Sequence, residues 1–137
     1  MNVRRNRRFA VAPSAAEMEA IARAALEALP EAFAGQLGAI VLQVEEFADE
    51  ATLTEMGIDD PFDLTGLYEG VPLTERSVEH SGTLPGRVRL FRRPILDEWA
   101  CGEDSLEHLV THVLIHEIGH HFGLSDQDMH ALEESAA

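Results

Sequence analysis

HEIGHHFGLSD, residues 116–126, decides how this chain is read. In an α-helix, which turns 100° and rises about 1.5 Å per residue, His116 and His120 fall one turn apart on one face, offset by about 40°. Two imidazoles so placed can grip one metal ion. Glu117 projects at the rim of that face, where it can take a proton from a water polarised by the ion instead of ligating.

A helix continuing through this stretch would carry Asp126 about 15 Å along the axis and off the face. Gly123 stands where a stop is needed, because glycine enters left-handed backbone cheaply and is the usual residue just past a helix C-terminus. The chain can then fold back and make Asp126 the third ligand. Asp126 has a second reading: Ser125 as an N-cap, with Asp128 as its box partner, leaves Asp126 as a first-turn acid favoured by the helix dipole. The two roles are compatible, and Asp128 or Glu133 are the substitutes as third ligand. Two histidines and one carboxylate leave a fourth position open, which is the pattern of a catalytic zinc rather than a structural one. Nickel or cobalt would also suit these donors.

The HExxHxxGxxD pattern resembles the elongated zinc motif of metzincin-type peptidases, with Asp126 where a third histidine is more usual. The chain as a whole resembles the minimal zincin-like metallopeptidase family of bacteria, on GLYEGVPLTERS (66–77), LPGRVRLFRRPI (84–95) and HEIGHHFGLSDQDM (116–129), in this order. The resemblance covers roughly residues 10 to 135. It implies a compact α+β fold, a small mixed sheet packed on helices, with HExxH on a long helix in the C-terminal half. It also implies a zinc-dependent peptidase carried by His116, Glu117, His120 and Asp126, with one zinc per chain. Met129 departs from the metzincin pattern, since it follows Asp126 by only three residues. It is read as a core methionine.

At 137 residues the chain is one domain, able to bury roughly two-thirds of its unfolded surface without disulfides. Residues 1–12 are expected as a flexible basic tail and 13–137 as a single domain. The lone Cys101 excludes an internal disulfide and fits a reducing compartment, so a cytoplasmic location is expected. No apolar run reaches membrane-spanning length. Net charge is −15, and Arg4, Arg5, Arg7 and Arg8 are four of the ten basic residues; the rest of the chain is near −19. Such a body repels nucleic acid and favours cationic peptides. A peptide or protein substrate is expected, with neither nucleic acid nor membrane as a partner.

Ser14 and Glu17 form a capping box ahead of Met18, Ile21, Ala22, Ala25, Leu26 and Leu29, which recur at helical spacing until Pro30. Residues 39–44, AIVLQV, read as the clearest buried strand, and 49–56 as a short helix. GIDDPFD, 57–63, reads as an acidic surface loop. LYEGVPL, 67–73, is a broken strand whose Gly70 and Pro72 suit a sheet edge, and such an edge near a metal can receive an extended peptide. Tyr68 on it is a candidate donor to an oxyanion, or a half-buried strand aromatic. Residues 74–86 are expected as a loop, with His80 exposed. RVRLFRR, 87–93, reads as a strand ending at Pro94, and ILDEWA as a short helix closed by Gly102.

Glu103, Asp104 and Ser105 start the metal helix, whose Leu106, Leu109, Val110, Val113, Leu114 and Ile118 bury one stripe. His108, His112, His116 and His120 ascend it at steps of four. Successive members rotate by about 40°, so His108 is expected to miss the ion. His112 is a possible substrate contact or hydrogen-bond partner of the site. His121 is expected to leave the site, and His130 lies on the closing helix. Two functions follow. One is a zinc peptidase with Glu117 as general base; the other is a weakly active or non-catalytic metal-binding protein that engages peptides at the same edge. Glu117 favours the first, because a structural site needs no base beside an open position.

Overall fold

Ser14 accepts a hydrogen bond from the Glu17 N–H, and the Glu17 carboxylate accepts one from the Ser14 N–H, so the box expected from the sequence starts helix α1, Ala15–Glu27. The structure, a computed structural model, describes residues 11–31, 34, 35, 39–70 and 86–136. Most of the basic tail, strand residues 71–73 and the 74–86 loop up to residue 85, His80 included, lie outside the described residues.

After α1 come β1 (Ile40–Glu45), α2 (Glu50–Met56), a 3-10 turn (Pro61–Asp63), β2 (Gly66–Glu69) and β3 (Gly86–Phe91). The helices α3 (Arg92–Cys101), α4 (Leu106–His121) and α5 (Asp126–Ala136) complete the described chain. The class is α+β with a mixed sheet, as expected. Its order is β1-β3-β2, with β1 parallel to β3 (Leu42 opposite Val88) and β2 antiparallel to it (Tyr68 opposite Val88).

Period-two alternation in β3 divides the interior in two. Val88 and Leu90 point to the face covered by α1 and α4, where Met18, Ala22, Leu42, Val110, Leu114 and Ile118 form the main core. Phe91 points to the other face, with Ala48 and Leu64 and the partly buried Leu53, Ile58 and Leu67. Full burial of a side chain such as Phe91 contributes about 1.5–3 kcal/mol.

Three expectations need correction. The buried central strand is β3; among the described residues β1 lies at the sheet edge, and its Val41 is 42% exposed because α1 covers only the other face. The strand expected to run to Pro94 ends at Phe91, and α3 already begins at Arg92. Pro94 fits there as the third helical residue, where a backbone N–H would have no partner within the helix. Finally, α4 buries more than one stripe, since Thr111, Ile115 and Gly119 are buried as well. It is enclosed by α1, α3, α5 and the sheet, so its polar face is narrow.

Arg89 is buried on the α2 side of β3. Its guanidinium donates to Glu45 (2.9 Å), Asp49 (2.7 Å) and the Thr52 hydroxyl (3.0 Å), which ties the sheet centre to its edge and to the α2 cap. Hydrogen bonds from the Thr52 hydroxyl and from Arg89 hold the Asp49 carboxyl well below the usual carboxylate range.

Candidate metal centre

The Ser105 hydroxyl accepts the His108 N–H at 3.1 Å and starts α4 in register. From that start the apolar residues lock the helix into the core, and His112, His116 and His120 are left along one side. His116 is half-buried and His120 exposed. Their ring centroids stand 4.9 Å apart, edge to face, a separation open to two imidazoles that share one ion about 2.0–2.1 Å from each nitrogen. The donor chemistry of this pair fits zinc. Burial, chiefly, and the neighbouring His112 and His120 lower the proton affinity of His116, against the pull of Glu133 and Asp126. This favours the neutral imidazole, which is the form that ligates.

Glu117 leans onto the edge strand. A Cβ placed on Gly66 would stand 2.8 Å from Val113 Cγ1 and 3.4 Å from Glu117 Cγ, so only glycine lets β2 approach α4 this closely. Burial pushes the Glu117 carboxyl above its ordinary value, while His120 and a hydrogen bond from the Tyr68 backbone N–H pull the other way. A carboxylate with raised proton affinity beside a pair of imidazoles is suited to accept a proton.

The helix stops where the glycine was expected to stop it. Gly123 has φ of 69°, its N–H donates to the His120 carbonyl at 3.2 Å, and the Leu124 N–H donates to the Gly119 carbonyl at 2.9 Å. This is a Schellman closure, with the left-handed residue just beyond the cap. Ser125 then accepts the Asp128 N–H on its hydroxyl (3.1 Å), and α5 begins at Asp126. Asp126 is therefore an exposed first-turn acid that acts electrostatically on His116. Among the described residues no three of His, Cys, Asp and Glu are gathered closely enough to hold an ion. His116 and His120 are brought together; Asp126 and Asp128 stand in the first turn of α5, outside such a group.

Glu133 has a different partner. Its Oε1 lies 2.6 Å from His112 Nδ1, and the His112 ring lies 4.6 Å from that of His116. This contact was missed in the sequence, although the two residues stand eleven before and ten after Gly123, as facing positions of a helical hairpin do. Tyr68 is buried, and a Cβ on Gly86 would overlap its hydroxyl. Its ring lies 4.3 Å from that of His121, which turns to the strand side with Phe122. Met129 is 1% exposed and belongs to the core.

No curated relative matches the chain. A family model described as zincin-like metallopeptidase matches residues 37–136, from just before β1 to the end of α5, and by that match the chain belongs to the zincin-like metallopeptidase family.

Proposed function

We propose that the protein is a zinc-dependent peptidase in which His116, His120 and Asp126 hold one ion per chain and Glu117 is the general base. Family membership supports zinc peptidase chemistry. The observation that carries the assignment of roles is the half-buried Glu117 carboxyl, one residue from His116 and against the edge strand, with its proton affinity raised by burial. Bound zinc supplies Lewis acidity, lowering the pKa of water and polarising a carbonyl. Glu117 takes the proton from the attacking water and returns it to the leaving amine. The Tyr68 N–H orients that carboxylate. A substrate in extended form pairs along β2, the outer strand of the sheet among the described residues and beside Glu117, and the acidic body selects for cationic peptides.

No helix among the described residues is long and apolar enough to cross a membrane. The exposed Cys101 fits a reducing compartment, and we place the enzyme in the cytoplasm.

The test compares wild type with Glu117→Gln for zinc content and for hydrolysis of a mixed peptide library. Equal zinc with hydrolysis lost only in the variant supports the reading. Equal zinc with no hydrolysis by either protein moves it to a metal-dependent peptide-binding protein, and a wild type that takes up no zinc overturns both. Full zinc after Asp126→Ala transfers the third position to Asp128 or Glu133.

A further inference from the structure

Pro13 is buried at one end of a groove that runs between α1 and the start of α4, with Trp99 of α3 in its wall. Two adjoining cavities of about 750 and 550 Å³ make it up, and both are lined by Ala20, Ile21, Ser105 and Glu107. The half-buried Ile21 and Trp99 give it apolar surface, while Glu17, Glu103, Asp104 and Glu107 give it four carboxylates. Among the described residues no lysine or arginine lines it, and its one imidazole, His108, stands 3.3 Å from Asp104. An apolar floor among charges of one sign fits a ligand with apolar stems and positive heads, which is the build of an arginine side chain. A guanidinium also stacks on the face of a tryptophan.

We infer that this groove is the docking site of the chain's own N-terminal segment, whose RRNRR run, residues 4–8, holds four of the ten basic residues. The point at which that segment joins the fold selects it as the occupant. The Arg92 guanidinium donates to the Pro13 carbonyl at 2.8 Å and fixes the chain at the end of the groove, with Ala12 and Val11 exposed before it. Arg8 lies five residues back from Pro13 and Arg4 nine, spans of up to about 17 and 30 Å in extended chain. The α1 wall of the groove, from Glu17 to Ala24, is about 10 Å long. The tether is therefore long enough for all four arginines, and it supplies a local concentration of the order of millimolar that a separate basic peptide would have to match. The tail expected from the sequence thus becomes a strap that ties α1 to α4 across Trp99. The inference is independent of the peptidase assignment, which uses none of these residues.

Trp99 is the one tryptophan of the chain, so quenching of its fluorescence by neutral acrylamide reads the groove directly. The full-length chain is compared with a variant in which Arg4, Arg5, Arg7 and Arg8 are all changed to serine, and with Glu103→Gln combined with Glu107→Gln, circular dichroism reporting the fold. In low salt both variants are expected to quench more readily than wild type, and joining the two sets of changes should add nothing further. Wild type should rise to the same level in about 1 M salt, where screening acts within about 3 Å. Equal quenching of wild type and the serine variant in low salt, both folded, overturns the inference. Shielding in wild type that disappears on dilution assigns the groove to the tail of a second copy and overturns docking within one chain. Trp99 equally open in both proteins but shielded by added tetra-arginine overturns it in favour of a separate basic partner.

Discussion

Gly119 is the point on which Met129 rests. A Cβ at Gly119 would overlap Met129 Sδ and stand 2.6 Å from its Cγ, so the glycine inside HEIGH is what lets α5 dock against α4. Because Asp126 and Glu133 both belong to α5, this contact sets where the carboxylates of the closing helix lie relative to the histidines.

Gly119→Ala is therefore expected to cost about 1–3 kcal/mol by overpacking, despite alanine's better helix propensity. Urea denaturation measures it. Combining the change with Met129→Ala should recover part of the loss; strict additivity of the two costs would show that the contact is not the cause.

Gly123 makes a different demand. Nothing lies within 4 Å of a Cβ built there, but its φ of 69° is left-handed, so Gly123→Ala should cost about 1–2 kcal/mol through backbone strain alone. Gly123→Asn should cost less than alanine. On the proposed ligand set, in which the turn brings Asp126 to the ion, the same series should lower zinc affinity in the same order. Unchanged zinc affinity in a destabilised alanine variant would separate Asp126 from the ion.

Glu117 binds its proton more tightly in the fold than in the unfolded chain, because burial disfavours the charged form. Between its ordinary value of 4.5 and the raised folded value, the folded protein holds more protons, so stability falls as pH rises through that window. The deficit persists at neutral pH. Metal-free Glu117→Gln is then expected to melt higher than metal-free wild type at pH 7, with the gap closing below pH 4.5. A variant that melts lower than wild type at both pH values would contradict the origin given for the shift.

Arg89 carries the opposite case. The Asp49 carboxyl is depressed in the fold, so its contribution is complete above the ordinary value of 3.8 and is lost as pH falls from there toward the lower folded value. Asp49→Asn should flatten that part of the stability profile. Arg89→Met removes the hydrogen bonds to Glu45, Asp49 and Thr52 together, at a cost of about 2–4 kcal/mol once the exposure of the two acids is allowed for. Melting temperatures followed from pH 2 to 7 check both.

Much of this was legible because it depends on neighbours in sequence. Ser14 with Glu17, Ser105 and Gly123 act within four residues, and each does what its type predicts. What was not legible depends on where elements meet. The apolar run in β1 gives no hint that its strand lies at an edge, and the arginines of RVRLFRR read alike as facing solvent or neighbouring acids, so the sequence does not single out Arg89 as the one buried among Asp49, Glu45 and Thr52. Pro94 signalled a boundary but not its side, since a first helical turn tolerates proline as well as a strand end does. In the candidate site, the His116–His120 pair follows from spacing alone. The pairing of His112 with Glu133 needs the hairpin that Gly123 creates.

Helix α1 precedes the matched residues 37–136, yet it lays Met18, Ala22 and Ala25 on the same core as Leu42, Val110 and Leu114. A fragment trimmed to the recognisable region would bare that inner wall to water. It would be prone to self-association before any question of catalysis arose. For expression, the heritable unit is longer than the diagnostic one, and its inner wall is written in residues outside the stretch that identifies the family.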